Sequence, residues 1–121
     1  MKLQDIITTV QMETNSVGDS RIKPADWTRW VADSITEAYS EDSCLRIQSG
    51  FTILDAVFPV DTGTDPDSVS IPDTLLPFHR NLEAYVEYRY HASSPTNPEE
   101  KAAAEACYAR FLNGLRVTTR G

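Results

Sequence analysis

The sequence predicts a mainly α-helical domain resembling a four-helix bundle, with a small β-hairpin or short-strand insertion and an extended C-terminal arm. Two observations predict the helices: apolar residues recur at helical spacing, and prolines followed by acidic residues mark helix starts. A third observation, apolar and β-branched residues between 44 and 71, predicts short strands. These patterns give one helical domain over residues 1–115 and an arm over residues 116–121.

Two helices are predicted in the first third of the chain, at about residues 2–13 and 25–40. In the second helix, Pro24 suits the first helical position and Asp26 places an acid in the first turn, where the helix dipole favours it. The first apolar stripe comprises Leu3, Ile6, Ile7 and Val10. The second comprises Trp27, Val31, Ile35, Ala38 and Tyr39.

The middle of the chain predicts two or three short strands within residues 44–71. Residues 45–48 alternate between apolar and polar, residues 51–58 are apolar and β-branched, and residues 68–71 follow a polar turn. Strands this short form no stable sheet alone, so we expect them to pack on the helices or to pair with another subunit.

The third and fourth helices are predicted at residues 75–92 and 98–115. Thr74 is the predicted cap of the third, with Pro77 in its first turn, because proline is tolerated only there. One face of this helix is predicted to carry Phe78, Leu82, Tyr85, Val86 and Arg89.

The start of the fourth helix is marked by Asn97 as the cap, Pro98 in the first position, and Glu99 and Glu100 in the first turn. Its apolar face comprises Ala104, Cys107, Tyr108, Phe111 and Leu115. Because the connection to the third helix is short, the two helices are expected to form an antiparallel hairpin.

Composition sets the class of protein that is expected. The chain has 121 residues and a net charge of −7, which favours one domain and argues against a sequence-reading nucleic-acid binder. No apolar stretch long enough to span a membrane and no secretion signal is expected. Cys44 and Cys107 are predicted to be two reduced thiols rather than a disulfide. No acid follows Glu105, so the C-terminus is a basic segment on an acidic body.

No residue pattern indicates catalysis, a metal or a cofactor. His79 and His91 lie about 18 Å apart along one predicted helix, too far to share a metal ion. Glu83 and Glu87 stand one helical turn apart and are interpreted as a hydrated face rather than metal ligands. Residues 61–67 are acidic, but their order does not fit a calcium loop, which favours a solvated turn. We therefore expect no enzyme.

Tyrosine, tryptophan and arginine are more abundant along the helices than one small core can take up. These residue types are favoured at protein interfaces. Part of the set is expected in the core and part in contacts between subunits. The candidates for contacts between subunits are Trp30, Tyr85, Tyr88, Arg89, Tyr90 and Arg110.

In order along the chain, these elements resemble the head–tail connector (adaptor) proteins of tailed bacteriophages. The resemblance rests on a Trp-containing helix, Trp27-Thr-Arg-Trp-Val-Ala-Asp-Ser-Ile-Thr-Glu-Ala-Tyr39, and on the helix entry Ile71-Pro72-Asp73. It continues through Leu82-Glu-Ala-Tyr-Val-Glu-Tyr-Arg89 and Ala106-Cys-Tyr-Ala-Arg-Phe-Leu112. It is strongest over residues 71–115, while the middle segment matches only in general character.

The resemblance implies a structural virion protein, made in the cytoplasm of the host bacterium and placed in the neck between capsid and tail. It would form a dodecameric ring docked on the portal protein, extend the channel through which DNA is ejected, and contact a downstream tail protein. The portal-binding arm would comprise Leu115, Arg116, Val117, Thr118, Thr119, Arg120 and Gly121. The loop facing the channel or the next component would carry Asp61, Asp65 and Asp67.

Other functions stay open at the level of sequence. A neck stopper or tail-completion protein would be dominated by β structure. A helical interaction module outside the virion would remain monomeric or dimeric. A small enzyme would hold an ordered metal or a closed polar pocket.

Overall fold

The computed structural model describes residues 1–19, 21–41, 67–71, 73–93 and 98–120, with the backbone alone at Tyr39, at residues 73–74 and at residues 116–120. Within these ranges the protein is mainly helical and contains no β-strand. The elements are α1 (Leu3–Glu13), α2 (Pro24–Glu41), a 3₁₀ segment (Asp73–Phe78), α3 (His79–Ala92) and α4 (Pro98–Arg120).

The first two helices begin where local chemistry satisfies their free N–H groups. The Lys2 N–H donates to Asp5 Oδ2 at 2.7 Å, and the Lys23 N–H donates to Asp26 Oδ2 at 3.1 Å. Pro24 occupies the first position of α2, as predicted, because it has no N–H to leave unpaired. The predicted apolar stripe of α1 is confirmed, since all four of its residues are buried.

The predicted β insertion is not supported. Residues 45–48 and 51–58 lie outside the described ranges, but residues 68–71 are described and form no strand. Ser70 makes only an isolated antiparallel bridge to Lys2, flanked by hydrogen bonds from Leu3 N–H to Val69 O (3.0 Å) and Ile71 N–H to Met1 O (2.8 Å). Because α1 already begins at Leu3, the extended chain before it is too short to continue this pairing into a strand.

The predicted start of the third helix is also wrong. The chain enters through the 3₁₀ segment, and the α-helix begins at His79, with Phe78 rather than Thr74 as its cap residue. Pro77 explains the delay, because its ring and missing N–H prevent regular α-helical hydrogen bonding on its N-terminal side. The α-helix therefore forms only after the proline.

Helix α3 lies at the centre of the molecule and contacts α1, α2 and α4. It runs antiparallel to α4, as predicted: Tyr88 packs on Tyr108 near the middle of the hairpin, and His91 meets Glu100 near the connection. Its predicted apolar residues are buried, and so are Glu83 and Glu87 on its other sides. A helix enclosed by three others has little surface left for water.

The helices α3 and α4 approach each other closely at the end of the hairpin that lies away from their connection. Asn81 Nδ2 donates to the carbonyl of Phe111 at 3.3 Å. Gly114 lies so near that a Cβ atom there would stand 1.7 Å from Asn81 Nδ2. Glycine therefore lets α4 press against the first turns of α3.

Candidate assembly site

The C-terminal end of α4 is the first candidate surface, because it carries the predicted portal-binding arm. The sequence predicts that this helix ends at Leu115, but in the structure it continues through Arg120. Gly114 already lies against Asn81, close to the beginning of α3, and the two helices are antiparallel. At the rise of an α-helix, Arg120 therefore lies about 9 Å past the level of Gly114.

Two of the predicted contact residues belong to the core of the chain itself. Trp30 is 9% exposed and packs edge-on against Trp27, with ring centroids 5.1 Å apart. Tyr85 is 5% exposed and packs edge-on against Phe111 at 5.1 Å. Side chains this buried leave little area for a second subunit to cover.

Three further candidates on α3 are half-buried and already engaged. Arg89 Nη1 donates to Asp33 Oδ2 at 3.0 Å and to the hydroxyl of Tyr85 at 3.2 Å. Tyr90 stacks on Trp27 at 5.7 Å, and its hydroxyl donates to a carboxylate oxygen of Asp19. These contacts fix α3 to α2 and to the segment before α2. The half-buried Tyr88, which packs on Tyr108, keeps part of its ring on the surface.

A cluster of carboxylates at one side of α3 was missed by the sequence analysis. Glu83 and Glu87 are each only 6% exposed, so their interpretation as a hydrated face is wrong. Arg110, the sixth predicted contact residue, donates from Nη2 to Glu87 Oε2 at 2.6 Å, although its own side chain is 62% exposed. The sequence gives no signal of this burial, because the sides of α3 that carry Glu83 and Glu87 look polar in it.

Glu13, the last residue of α1, completes this cluster. A hydrogen bond between its carboxyl group and that of Glu87 raises the pKa of Glu13 to about 7, with burial and the charges of Glu87 and Glu83 acting in the same direction. Arg110, which is paired with Glu87, lowers the pKa of Glu13, but by less than the neighbouring carboxylates raise it. Near neutral pH this carboxyl group therefore exists in both forms.

The two histidines occupy separate sites, as their spacing predicted. His79 Nδ1 lies 3.2 Å from Glu83 Oε2, while His91 pairs with Glu100 of α4. Among the residues whose positions the structure gives, no group of three histidine, cysteine, aspartate or glutamate side chains could hold a metal ion.

Cys107 is a buried free thiol, and burial raises its pKa. A buried thiol of this kind is a poor nucleophile, because the reactive thiolate is disfavoured. Cys44 lies outside the described part of the chain.

The predicted acidic loop can be placed only at its end. Asp61 and Asp65 lie outside the described ranges, whereas Asp67 is exposed at the start of the segment that returns to the N-terminus of α1.

None of the helices in the described ranges is long and apolar enough to cross a membrane.

Comparison of the chain with protein-family models, with curated proteins and with solved structures gives no match.

Proposed function

We propose that this protein is a structural component of a tailed-bacteriophage virion, a head-to-tail adaptor that forms a ring on the portal and links capsid to tail. It works by assembly rather than by catalysis, and needs no cofactor. In this proposal a helical bundle carries the contacts between neighbouring copies. The basic end of α4 reaches the portal, and DNA only passes through the channel.

The observation that carries this proposal is the position of the basic end of α4. Arg116 and Arg120 stand on a helix that continues past the start of its partner α3, on a chain whose net charge is −7. A helical, positively charged extension on an acidic body is suited to dock on an acidic partner, because arginine pairs well with carboxylates. Leu115, the first residue of the predicted arm, is instead buried in the core of the chain itself.

The remaining charges fit the same picture. Of the chain's charged residues, 18 are acidic and 11 basic, so a channel lined by this body would repel DNA phosphates and let DNA slide. The partly exposed Tyr88 and the exposed Arg110 offer contacts to a neighbouring copy in the ring. The mainly helical structure favours an adaptor over a neck stopper, for which dominant β structure was expected.

Reversing the charge of the arm tests the proposal. We expect Arg116→Glu combined with Arg120→Glu to weaken docking on the portal of the same genome roughly a hundredfold. Each reversal replaces an attraction by a repulsion, and a loss of about 1.4 kcal/mol per site corresponds to a factor of ten. The measurement is the portal affinity from sedimentation or native mass spectrometry.

The matched control for this experiment is Lys101→Glu, which reverses one exposed charge near the other end of α4. The control should dock like the unaltered protein, and both variants should keep the same helical circular dichroism. Equal docking of the double variant and the unaltered protein would remove the portal-binding role from the arm. Equal weakening by Lys101→Glu would show that only total charge matters.

A further inference from the structure

The end of α1 meets α3 and α4 at a small polar cleft of about 110 Å³. Glu13 reaches the cleft from α1, and Arg110 reaches it from α4. Arg80, Glu83 and Glu87 of α3 form its remaining charged wall. Glu83 and Glu87 are almost fully buried, so water screens their charges poorly, whereas Glu13 is exposed.

The charges around Glu13 make its ionised form unfavourable. From α3, Glu83 and Glu87 face it with Arg80 at the rim, and His79 is paired with Glu83. From α4, Arg110 is bound to Glu87, and the Cys107 thiol lies 3.7 Å from the same carboxylate. The last turn of α1 itself contains no basic residue, and the negative end of the helix dipole adds to the repulsion.

We infer that one proton held between the carboxyl groups of Glu13 and Glu87 fastens the last turn of α1 to α3, so that this contact is a pH-sensitive latch. With the proton present, the two carboxyls share a hydrogen bond. Without it, Glu13 is repelled by Glu87 and Glu83, and the last turn of α1 detaches. The rest of α1 stays docked through its buried apolar face. This inference does not depend on the proposed role in the virion.

The direction of the effect follows from proton linkage. The folded pKa of Glu13, about 7, lies above its ordinary value of 4.5, so the folded protein holds the proton more tightly than the unfolded chain does. The stabilising contribution is complete below about pH 4.5 and is lost as the pH rises through 7. The latch is closed in acid and opens in mild alkali.

Backbone hydrogen exchange at the end of α1 reads the latch directly. The N–H of Thr14 donates to Val10 O and the N–H of Ser16 donates to Gln11 O, both at 2.9 Å. After correction for the intrinsic exchange rate, we expect their protection to fall about tenfold between pH 6 and pH 8 in the unaltered protein. In Glu13→Gln, which can still form a hydrogen bond but cannot ionise, protection should not change over this range.

Glu105→Gln is the matched control, since it removes one negative charge at an exposed position of α4 away from the cleft. It should show the same loss of protection with pH as the unaltered protein. A loss of equal size in Glu13→Gln would overturn the inference, as would constant protection in the unaltered protein. A carboxyl ¹³C titration of Glu13 with an ordinary midpoint would overturn it as well.

Discussion

Replacing Phe111 with alanine is expected to lower the free energy of unfolding by about 3–5 kcal/mol, the usual cost of removing a buried phenylalanine. Phe111 is fully buried and packs against Tyr85 and Tyr108, with ring centroids 5.1 and 6.0 Å apart. Its loss leaves a cavity between α3 and α4 that rigid helices cannot close. Urea denaturation followed by circular dichroism measures the change.

Two variants make this result interpretable. Phe111→Leu retains most of the apolar volume and should cost clearly less than the alanine variant. Met12→Ala alters a side chain that is 72% exposed and should change stability by less than about 0.5 kcal/mol. If Phe111→Ala costs no more than Met12→Ala, the described packing of α3 on α4 is incorrect.

Arg110→Met should lower the free energy of unfolding by about 2 kcal/mol at pH 8. It leaves the buried carboxylate of Glu87 without its cation, beside two other acids. Removing one partner of a fully buried pair costs about 3–5 kcal/mol, and we reduce this figure because the Arg110 side chain is 62% exposed.

This loss should shrink at pH 5, because Glu13, whose pKa is about 7, is then protonated and no longer repels the unpaired carboxylate of Glu87. Lys101→Met, an exposed change of the same kind on the same helix, should cost less than about 0.5 kcal/mol at both pH values. Denaturant unfolding at the two pH values checks both variants. A pH-independent cost in Arg110→Met would mean that lost side-chain packing, rather than charge, is responsible.

The helices could be predicted because their signals are local. The apolar spacing in α1 and the proline at the start of α2 act within a few residues, and both features appear in the structure as predicted. Pro77 constrains the start of the third helix, as the sequence predicts, but in a different way. It turned the first residues of the predicted third helix into a 3₁₀ segment instead of fitting inside its first turn.

The polar contacts between helices could not be predicted in the same way. Arg89 and Asp33 stand 56 positions apart, and their pairing depends on how α2 and α3 cross. The burial of Glu83 and Glu87 likewise depends on α1 and α4 covering sides of α3 that look polar in the sequence. Periodicity shows which face of a helix is apolar, but not how many neighbours the helix has.

The extended segment at residues 68–71 shows a related difficulty. Its position after a polar turn predicts a returning strand, but the partner in space is the chain just before α1, which is too short to continue the pairing. Strand formation needs a partner of sufficient length as well as a suitable sequence. The sequence of residues 68–71 alone does not show what that partner will be.

The most direct test of the adaptor proposal is the mass of the assembly formed when this chain is mixed with the portal of the same genome, measured by native mass spectrometry. The proposal predicts one ring of this chain added to each portal, in matching copy number, with the basic end of α4 at the contact. A folded chain that stays monomeric beside an intact portal would contradict it and favour a helical interaction module instead.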